Sequence, residues 1–328
     1  MHTIEKRALY YLLRLNWLSN PTMNVQKWQV EDYHSLTPAQ IFKRLETLDL
    51  FLDKTSILAY AEDCDSPEDL AFHLVGDRDL KPDEEDQVYL LIFELWRRFL
   101  TEKPSLSVLC QNLDEQIYLY DQGQLNQPIQ LQEALTQFIQ VLHQNVDQGL
   151  SSPEAFHLLS TYCANDIETF LYDFISEQID EENESYAFDL LEEVDPYLAG
   201  NKWFDLLHIR LSGYPGSKTS QKLINQLIET HLTARDIEFN LELLSILIER
   251  GDPSTFQAII KDTLSLIETE EEWQDLLAIS IDYFHRLDNE PVERQLLQIL
   301  KKRAKIPLNT LFNRKENDFK QFAQIFEL

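Results

Sequence analysis

Three acid–histidine pairs have a spacing that could bind a metal ion. They are Glu154/His157, Asp205/His208 and Asp282/His285. On a helix, a separation of three residues points both side chains the same way, as in di-metal carboxylate sites. Such a site needs two strict Glu-x-x-His units, and only Glu154/His157 qualifies. Because Glu154 directly follows Ser152-Pro153, a helix start, the sequence favours a cap acid beside an unrelated histidine, and no metal site is predicted.

Linear signatures of catalysis are missing from the sequence. It contains no glycine-rich phosphate loop, no G-x-S-x-G nucleophile elbow and no H-E-x-x-H zinc motif. With seven glycines in 328 residues, cradling a nucleotide on backbone amides would be difficult. We therefore expect neither catalytic residues nor a cofactor. An enzyme whose site combines dispersed acids and histidines, with or without a metal, remains an alternative.

The most unusual stretch of the chain runs from Pro104 to Asn201. It contains eighteen Asp or Glu and no Lys or Arg, in a chain of net charge −29. One interpretation is a solvated helix end and loop, kept in water by repulsion. The other is an electronegative face that attracts a basic partner. The candidate acidic contacts are Glu177, Asp180, Glu181, Glu182, Glu184, Glu192 and Glu193, and the candidate aromatic contacts are Tyr172, Tyr186, Tyr197 and Trp203.

Near its C-terminal end the sequence has a cluster of opposite charge. Its candidate residues are Lys301, Lys302, Arg303 and Lys305. The simplest interpretation is a helix C-terminus, where cations complement the helix dipole. A sharper hypothesis is that this basic end docks on the acidic middle of another copy, or on an anionic partner. The phenylalanines that follow, Phe312, Phe319, Phe322 and Phe326, predict a capping helix.

These residues must be positioned by helices, because helix punctuation recurs throughout the chain. Thr37-Pro38, Ser66-Pro67, Ser152-Pro153 and Asp252-Pro253 each place a capping side chain before proline. Asn165 to Glu168 and Thr269 to Glu272 have the spacing of capping boxes. Strict alternation of apolar and polar residues, typical of strands, is absent. The sequence predicts an all-α fold.

Predicted helix starts in the second half of the chain recur at a regular interval. Alternate starts near residues 185, 200, 219, 233, 252, 269 and 289 are about 33–37 residues apart. This spacing predicts a right-handed, α-solenoid-like array of antiparallel helix pairs, with a less regular N-terminal part. The period is similar to that of tetratricopeptide repeats. However, the small residues those repeats place at helix contacts are mostly Leu, Ile or Glu here, so no family is assigned.

The polar stretch from Asp121 to Pro128 predicts a domain boundary. We expect an irregular helical N-terminal domain over residues 1–124, and a helical-repeat domain with a basic C-terminal cap over residues 125–328. The three scattered cysteines and the lack of a long apolar run predict a reduced, cytoplasmic protein. The negative charge argues against direct binding to nucleic acid or to an anionic membrane.

Together these patterns favour a non-enzymatic protein–protein interaction module or scaffold, of the adaptor or chaperone-like kind. It would present an acidic, tyrosine-bearing surface to a protein partner with a basic or amphipathic segment. Self-association through the acidic middle and the basic C-terminal end is a further expectation. Besides the enzyme alternative, a nucleic-acid mimic that occupies a basic protein remains open, and it would need regularly spaced carboxylates along one face.

Overall fold

The structure, a computed structural model, describes residues 4–76, 78–125, 128–213, 217–231 and 235–327. Within these ranges the regular structure is helical, apart from one isolated bridge between Thr269 and Leu311. The chain forms two compact units, Met1–Leu171 and Tyr172–Leu328. The all-α prediction is confirmed, with packing between neighbouring helices.

In the described residues, unit 1 and the start of unit 2 contain ten α-helices of uneven length. They are α1 (Lys6–Ser19), α2 (Lys27–Val30), α3 (Pro38–Thr47), α4 (Lys54–Tyr60), α5 (Pro67–Val75), α6 (Pro82–Phe99), α7 (Leu106–Asp121), α8 (Pro128–Asp147), α9 (Ser152–Thr161) and α10 (Ile167–Asp180). The remaining helices are α11 (Glu184–Val194), α12 (Lys202–Leu211), α13 (Lys218–His231), α14 (Ile237–Arg250), α15 (Pro253–Leu266), α16 (Glu270–Arg286), α17 (Glu290–Arg303) and α18 (Asn317–Ile325). The boundary between the units falls within α10.

Most of the predicted capping residues lie at the N-termini of helices. The side-chain oxygens of Thr37, Ser66 and Asp252 each accept hydrogen bonds from backbone N–H groups of the first helical turn. These bonds satisfy donors that have no partner within the helix. Two caps lie one residue away from their predicted positions. Ser151 rather than Ser152 caps α9, and the Asp166 side chain rather than that of Asn165 accepts from Thr169 N at the start of α10.

The core of unit 1 surrounds α6. Every residue of this helix from Val88 to Trp96 is buried, as expected for a helix that is contacted on several sides by α3, α4 and α5. The sequence predicts that this helix continues to about Lys103, but it ends at Phe99. The Lys103 ammonium instead donates to the carbonyls of Ala61, Glu62 and Cys64 at 2.8, 3.0 and 3.0 Å. These bonds satisfy the C-terminal carbonyls of a short helical turn.

Unit 2 consists largely of stacked helix pairs. The first helices of three such pairs, α12, α14 and α16, start at residues 202, 237 and 270, which are 35 and 33 residues apart. Within the pairs, α12 packs on α13, α14 on α15 and α16 on α17, while α12 contacts α14 and α14 contacts α16. Successive pairs therefore bury their apolar faces against each other, in agreement with the predicted spacing. The right hand of the array stays a prediction.

The predicted phenylalanine-rich helix forms as α18. Its Phe322 is fully buried, and the ring lies 4.9 Å from that of Trp273 on α16. Phe326 lies just after the helix, and its ring centroid is 6.4 Å from that of Phe256 and 5.3 Å from that of Phe284. Helix α18 therefore covers one end of the α15–α16 core through aromatic contacts.

The domain boundary that the sequence predicts between residues 124 and 125 falls within unit 1. Helices α7 and α8 pack on each other across it. Residues 126 and 127 of the polar stretch lie outside the described residues. The division at residue 124 stays a prediction about domain organisation.

Across the described ranges, the helices are too short or too polar to span a bilayer.

Candidate functional site

The three acid–histidine pairs have separate surroundings. Glu154 accepts from Ser151 N at 3.0 Å and from Ser151 Oγ at 2.6 Å, which makes it the cap acid that the sequence favours. His208 Nε2 lies 2.9 Å from Asp195 Oδ1. His285 is exposed, with its Nδ1 3.3 Å from Glu293 Oε2. Among the residues that the structure describes, no group of three or more His, Cys, Asp or Glu side chains is arranged to hold a metal ion.

A cleft of about 230 Å³ opens in unit 1 where α6 is followed by α7. Its polar lining includes Arg97, Gln111 and Glu115. The Arg97 guanidinium is held by Glu94 at 3.0 Å, and Gln111 Nε2 donates to Glu115 Oε1 at 2.9 Å. The Arg97 and Glu115 side chains of this cleft therefore already have partners within the fold.

One buried carboxylate of unit 1 has a strongly shifted pKa. Asp114 on α7 is 1% exposed. It accepts from Ala164 N at 2.8 Å, from Asn165 N at 3.0 Å and from Asn165 Nδ2 at 2.7 Å. Burial raises the pKa of Asp114 to about 6, although these hydrogen bonds lower it. Because its oxygens already accept three bonds from the turn before α10, we interpret Asp114 as an anchor for that turn rather than as a catalytic acid.

Replacing Asp114 with Asn should remove a pH dependence of stability. A folded-state pKa of about 6 exceeds the ordinary value of 3.8, so the proton stabilises the fold fully below pH ~4, and this contribution disappears as the pH rises through ~6. Asp114→Asn should thus be more destabilising at pH ~4 than at pH ~7, and the loss of unfolding free energy should differ between these two pH values by about 2 kcal/mol. Urea unfolding of both proteins across this range measures that difference. A constant difference would show that burial does not shift the pKa of Asp114.

The acidic side chains predicted to bind a partner lie on the surface of unit 2. Glu177 and Asp180 are exposed on α10, and Glu181 and Glu182 are exposed in the following turn. Glu184, Glu192 and Glu193 are exposed on α11. We call Glu181, Glu182, Glu184, Glu192 and Glu193, together with Phe188, the acidic face. Within the described parts of the chain, none of these five carboxylates is in an ion pair.

The turn before α11 holds one acid in an unfavourable backbone conformation. Glu182 has a φ of 64°. Its N–H donates to Ile179 O, and the N–H of Asn183 donates to Gln178 O at 2.9 Å, the bond pattern that ends a helix in a left-handed residue. Glycine fits that position without strain, whereas a side chain costs about 1 kcal/mol. The turn therefore presents a carboxylate where the backbone alone would favour glycine.

Helix α11 also exposes an apolar ring that is not among the contact residues predicted from the sequence. Phe188 is 47% exposed, whereas Ala187, Leu190, Leu191 and Val194 on the opposite side are buried. Residues four apart lie on the same face of a helix, so Phe188 lies between Glu184 and Glu192. A helical wheel of α11 would have shown this ring outside the apolar stripe. An exposed aromatic ring within a field of carboxylates is a suitable anchor for a protein contact.

The four aromatic residues predicted as contacts mostly pack inside unit 2. The rings of Tyr172 and Trp203 meet at 5.5 Å, and Trp203 also lies 5.7 Å from Phe239. Tyr186 is half-buried against Phe174 at 6.2 Å, and Tyr197 is only 5% exposed. Burial places Tyr197 beneath the surface, and the accessible ring beside the acids is Phe188. Contact of the half-buried Tyr172, Tyr186 and Trp203 with a partner stays a prediction.

Two polar side chains from α12, Arg210 and His208, reach the edge of this acidic region. Arg210 donates to Asp180 Oδ1 and to Ser176 Oγ, both at 2.5 Å. His208 lies against Asp195, as described above. The Arg210 contact neutralises part of the charge on α10, while the carboxylates of the acidic face are in no ion pair among the described residues.

The predicted basic end is divided between the surface and the interior. Lys301 and Lys305 are exposed. Lys302 is also exposed, but its ammonium donates to both oxygens of Asp318 at 2.9 Å. Arg303 is 3% exposed and pairs with Glu270 and Glu316. Arg303 is therefore an internal residue and not part of a docking surface, because its guanidinium is used to join α16, α17 and α18.

Comparisons of the chain with protein-family models, with curated proteins and with solved structures each find no match.

Proposed function

We propose that this protein is a non-enzymatic interaction module that binds a basic, amphipathic protein segment on its acidic face. The observation that carries the proposal is the surface of α11. It exposes Phe188 between Glu184 and Glu192, with no cation paired to these carboxylates in the described structure. A partner helix with apolar residues on one side and Lys or Arg on the other matches both features.

Helix α11 also contains a repulsive pair that a partner would relieve. Asp189 and Glu193 are one turn apart and both exposed. Like charges at this spacing destabilise a helix by about 0.2–0.5 kcal/mol. A bound Lys or Arg would turn this repulsion into attraction. In the unbound protein these two like charges therefore repel each other, and a bound cation would remove that repulsion, which supports a binding role.

Reversing two charges of the acidic face should weaken peptide binding without unfolding the protein. The probe is a fluorescein-labelled synthetic helix with Leu on one face and Lys on the other, and binding is followed by fluorescence anisotropy. Glu192→Lys/Glu193→Lys should weaken the affinity at low salt by about tenfold or more. Its helix should be no less stable, since Glu193→Lys places an ammonium one turn from Asp189. Phe188→Ser should weaken binding by a similar factor, because the apolar anchor is lost.

A matched control is available in unit 1. Glu62 and Asp63 are adjacent, exposed acids, and reversing both changes the net charge by the same amount as the α11 variant. This control should bind the peptide almost as tightly as the wild type. If both double variants lost the same peptide affinity, the loss would be explained by net charge alone. That result would contradict binding at the acidic face. A scrambled peptide of the same composition that binds equally well would contradict recognition of an amphipathic helix.

A further inference from the structure

The connection between α17 and α18 is a fixed loop that presents leucines to solvent. Its backbone is held against the start of α16: Glu270 N donates to Thr310 O at 2.9 Å, Glu271 N to Leu308 O at 3.1 Å, and Phe312 N to Glu268 O at 2.8 Å. Even so, Leu308 is 50% exposed and Leu311 is 81% exposed. These hydrogen bonds therefore fix the loop backbone, while two apolar side chains stay exposed to solvent.

The surroundings of these leucines are basic. Residues 301–315 contain six Lys or Arg and no Asp or Glu, in a chain of net charge −29. Lys302 and Arg303 are used inside the fold, and Arg314 donates to Ser265 O and Ile267 O at 2.8 and 3.0 Å. Lys301, Lys305 and Lys315 are exposed and form no ion pair in the described part of the chain. We call Leu308, Leu311, Lys301, Lys305 and Lys315 the basic loop patch.

Acids are not absent from the neighbourhood of this patch. Glu268 and Glu271 are exposed and are joined to the loop through the backbone hydrogen bonds given above. They flank the leucines from the α16 side, whereas the lysines lie at the two ends of the loop in sequence. An occupant of the patch must therefore bring an apolar group to the leucines and carboxylates to the lysines.

We propose that the occupant is a second copy of this chain, which docks its acidic face on the basic loop patch. The acidic face supplies what the patch requires: Phe188 as the apolar group, with Glu184, Glu192 and Glu193 around it. This inference rests on the proposed function in that it uses the same acidic face. Because the two surfaces differ, the contact is heterologous. Each assembly keeps one free acidic face and one free basic loop patch at its two ends, and association proceeds head to tail.

The complementary charges of the two surfaces give this contact a characteristic salt dependence. The attraction acts between exposed groups, so it is screened over ~8–10 Å at physiological ionic strength. The apolar part is limited to two leucines and one phenyl ring. We therefore expect a weak, reversible association that strengthens with protein concentration and weakens with salt.

The test is the weight-average mass of the full chain by sedimentation, from low to high micromolar concentration and at low and high salt. The wild type should gain mass with concentration at low salt and lose it at high salt. Lys301→Glu/Lys305→Glu and Glu192→Lys/Glu193→Lys should each weaken association by about tenfold or more. Mixed together, the neutralised variants Lys301→Gln/Lys305→Gln and Glu192→Gln/Glu193→Gln should form a one-to-one complex that grows no further, because only one pair of oppositely charged surfaces remains.

Three outcomes would overturn the proposal. The wild type could remain monomeric at low salt, the variants could associate as the wild type does, or the mixture could fail to form the one-to-one complex. Vesicles of phosphatidylcholine with phosphatidylserine identify one competing occupant. Binding to them that requires Lys301 and Lys305, with a monomeric wild type, would assign the patch to lipid. The peptide assay separates the two proposals, since Lys301→Glu/Lys305→Glu keeps the acidic face. If the wild type binds the peptide normally but does not self-associate, the proposed docking of a second copy is wrong and the proposed peptide-binding function is kept.

Discussion

Replacing Arg303 with Met is expected to lower the free energy of unfolding of unit 2 by about 3–5 kcal/mol. The Arg303 guanidinium is 3% exposed and donates through Nε to Glu270 Oε1 at 2.7 Å. Glu270 is 1% exposed, so removing the cation leaves a carboxylate buried without its counter-charge. The hydrogen bonds from Arg303 to Glu270 raise the pKa of the guanidinium, as expected when the charged form is favoured.

The measurement is hydrogen exchange of the backbone amides of α16, α17 and α18, combined with urea unfolding. Hydrogen exchange is needed because two compact units need not unfold in one transition. The control is the double replacement Arg303→Met/Glu270→Leu, which removes both charges and should recover much of the loss. Arg303→Lys should be intermediate, because an ammonium keeps the charge but cannot donate a planar pair of bonds. If the double variant is as unstable as Arg303→Met, the loss comes from packing and not from the unpaired carboxylate.

Replacing Trp273 with Ala should destabilise unit 2 by about 3–5 kcal/mol. The side chain is fully buried, and its ring lies 5.0 Å from that of Phe312 and 4.9 Å from that of Phe322. Loss of the indole leaves a cavity at the point where α18 meets α16. We expect α18 to exchange its amides faster than the other helices of unit 2, as measured by the same hydrogen-exchange experiment.

The more conservative replacement Trp273→Phe should cost much less. Trp273 Nε1 is buried and has no hydrogen-bond partner among the described residues, and an unmade bond of this kind costs about 1–3 kcal/mol. Phenylalanine removes this donor together with part of the ring, so the two effects partly cancel. A loss as large as that of Trp273→Ala would indicate that the indole N–H is satisfied and that its bond matters.

Local rules of helix geometry explain why much of the fold is predictable from the sequence. The capping side chains of Thr37 and Asp252 accept hydrogen bonds from backbone groups two or three residues away. Their effect can therefore be predicted from a short stretch of sequence. The regular recurrence of helix starts in unit 2 follows from the same punctuation. Position errors of one residue, as at Ser152 and Asn165, arise because neighbouring side chains of similar type compete for the cap. The Asn165 side chain donates instead to Asp114 Oδ1 at 2.7 Å, a contact between distant residues.

The candidate site was only partly predictable, because exposure depends on tertiary packing. The charge of the acidic face follows from composition, and its exposed position follows from the cost of burying carboxylates. In contrast, nothing in the basic run distinguishes Arg303 from Lys301, since the buried partner Glu270 lies 33 residues earlier. Likewise, Phe188 and Tyr197 are both aromatic residues in an acidic stretch, but only the packing of α11 leaves the first of them uncovered.

The carboxylates of the acidic face, which have no cation from the described chain beside them, must be accompanied in solution by mobile sodium or potassium ions. A basic partner that docks there displaces this ionic atmosphere into the bulk. A rise in salt concentration opposes this displacement and screens the attraction between the two charged surfaces. The strength of such a complex would therefore be set largely by the medium around the protein, and a cell could loosen it by changing its salt content without modifying a single side chain.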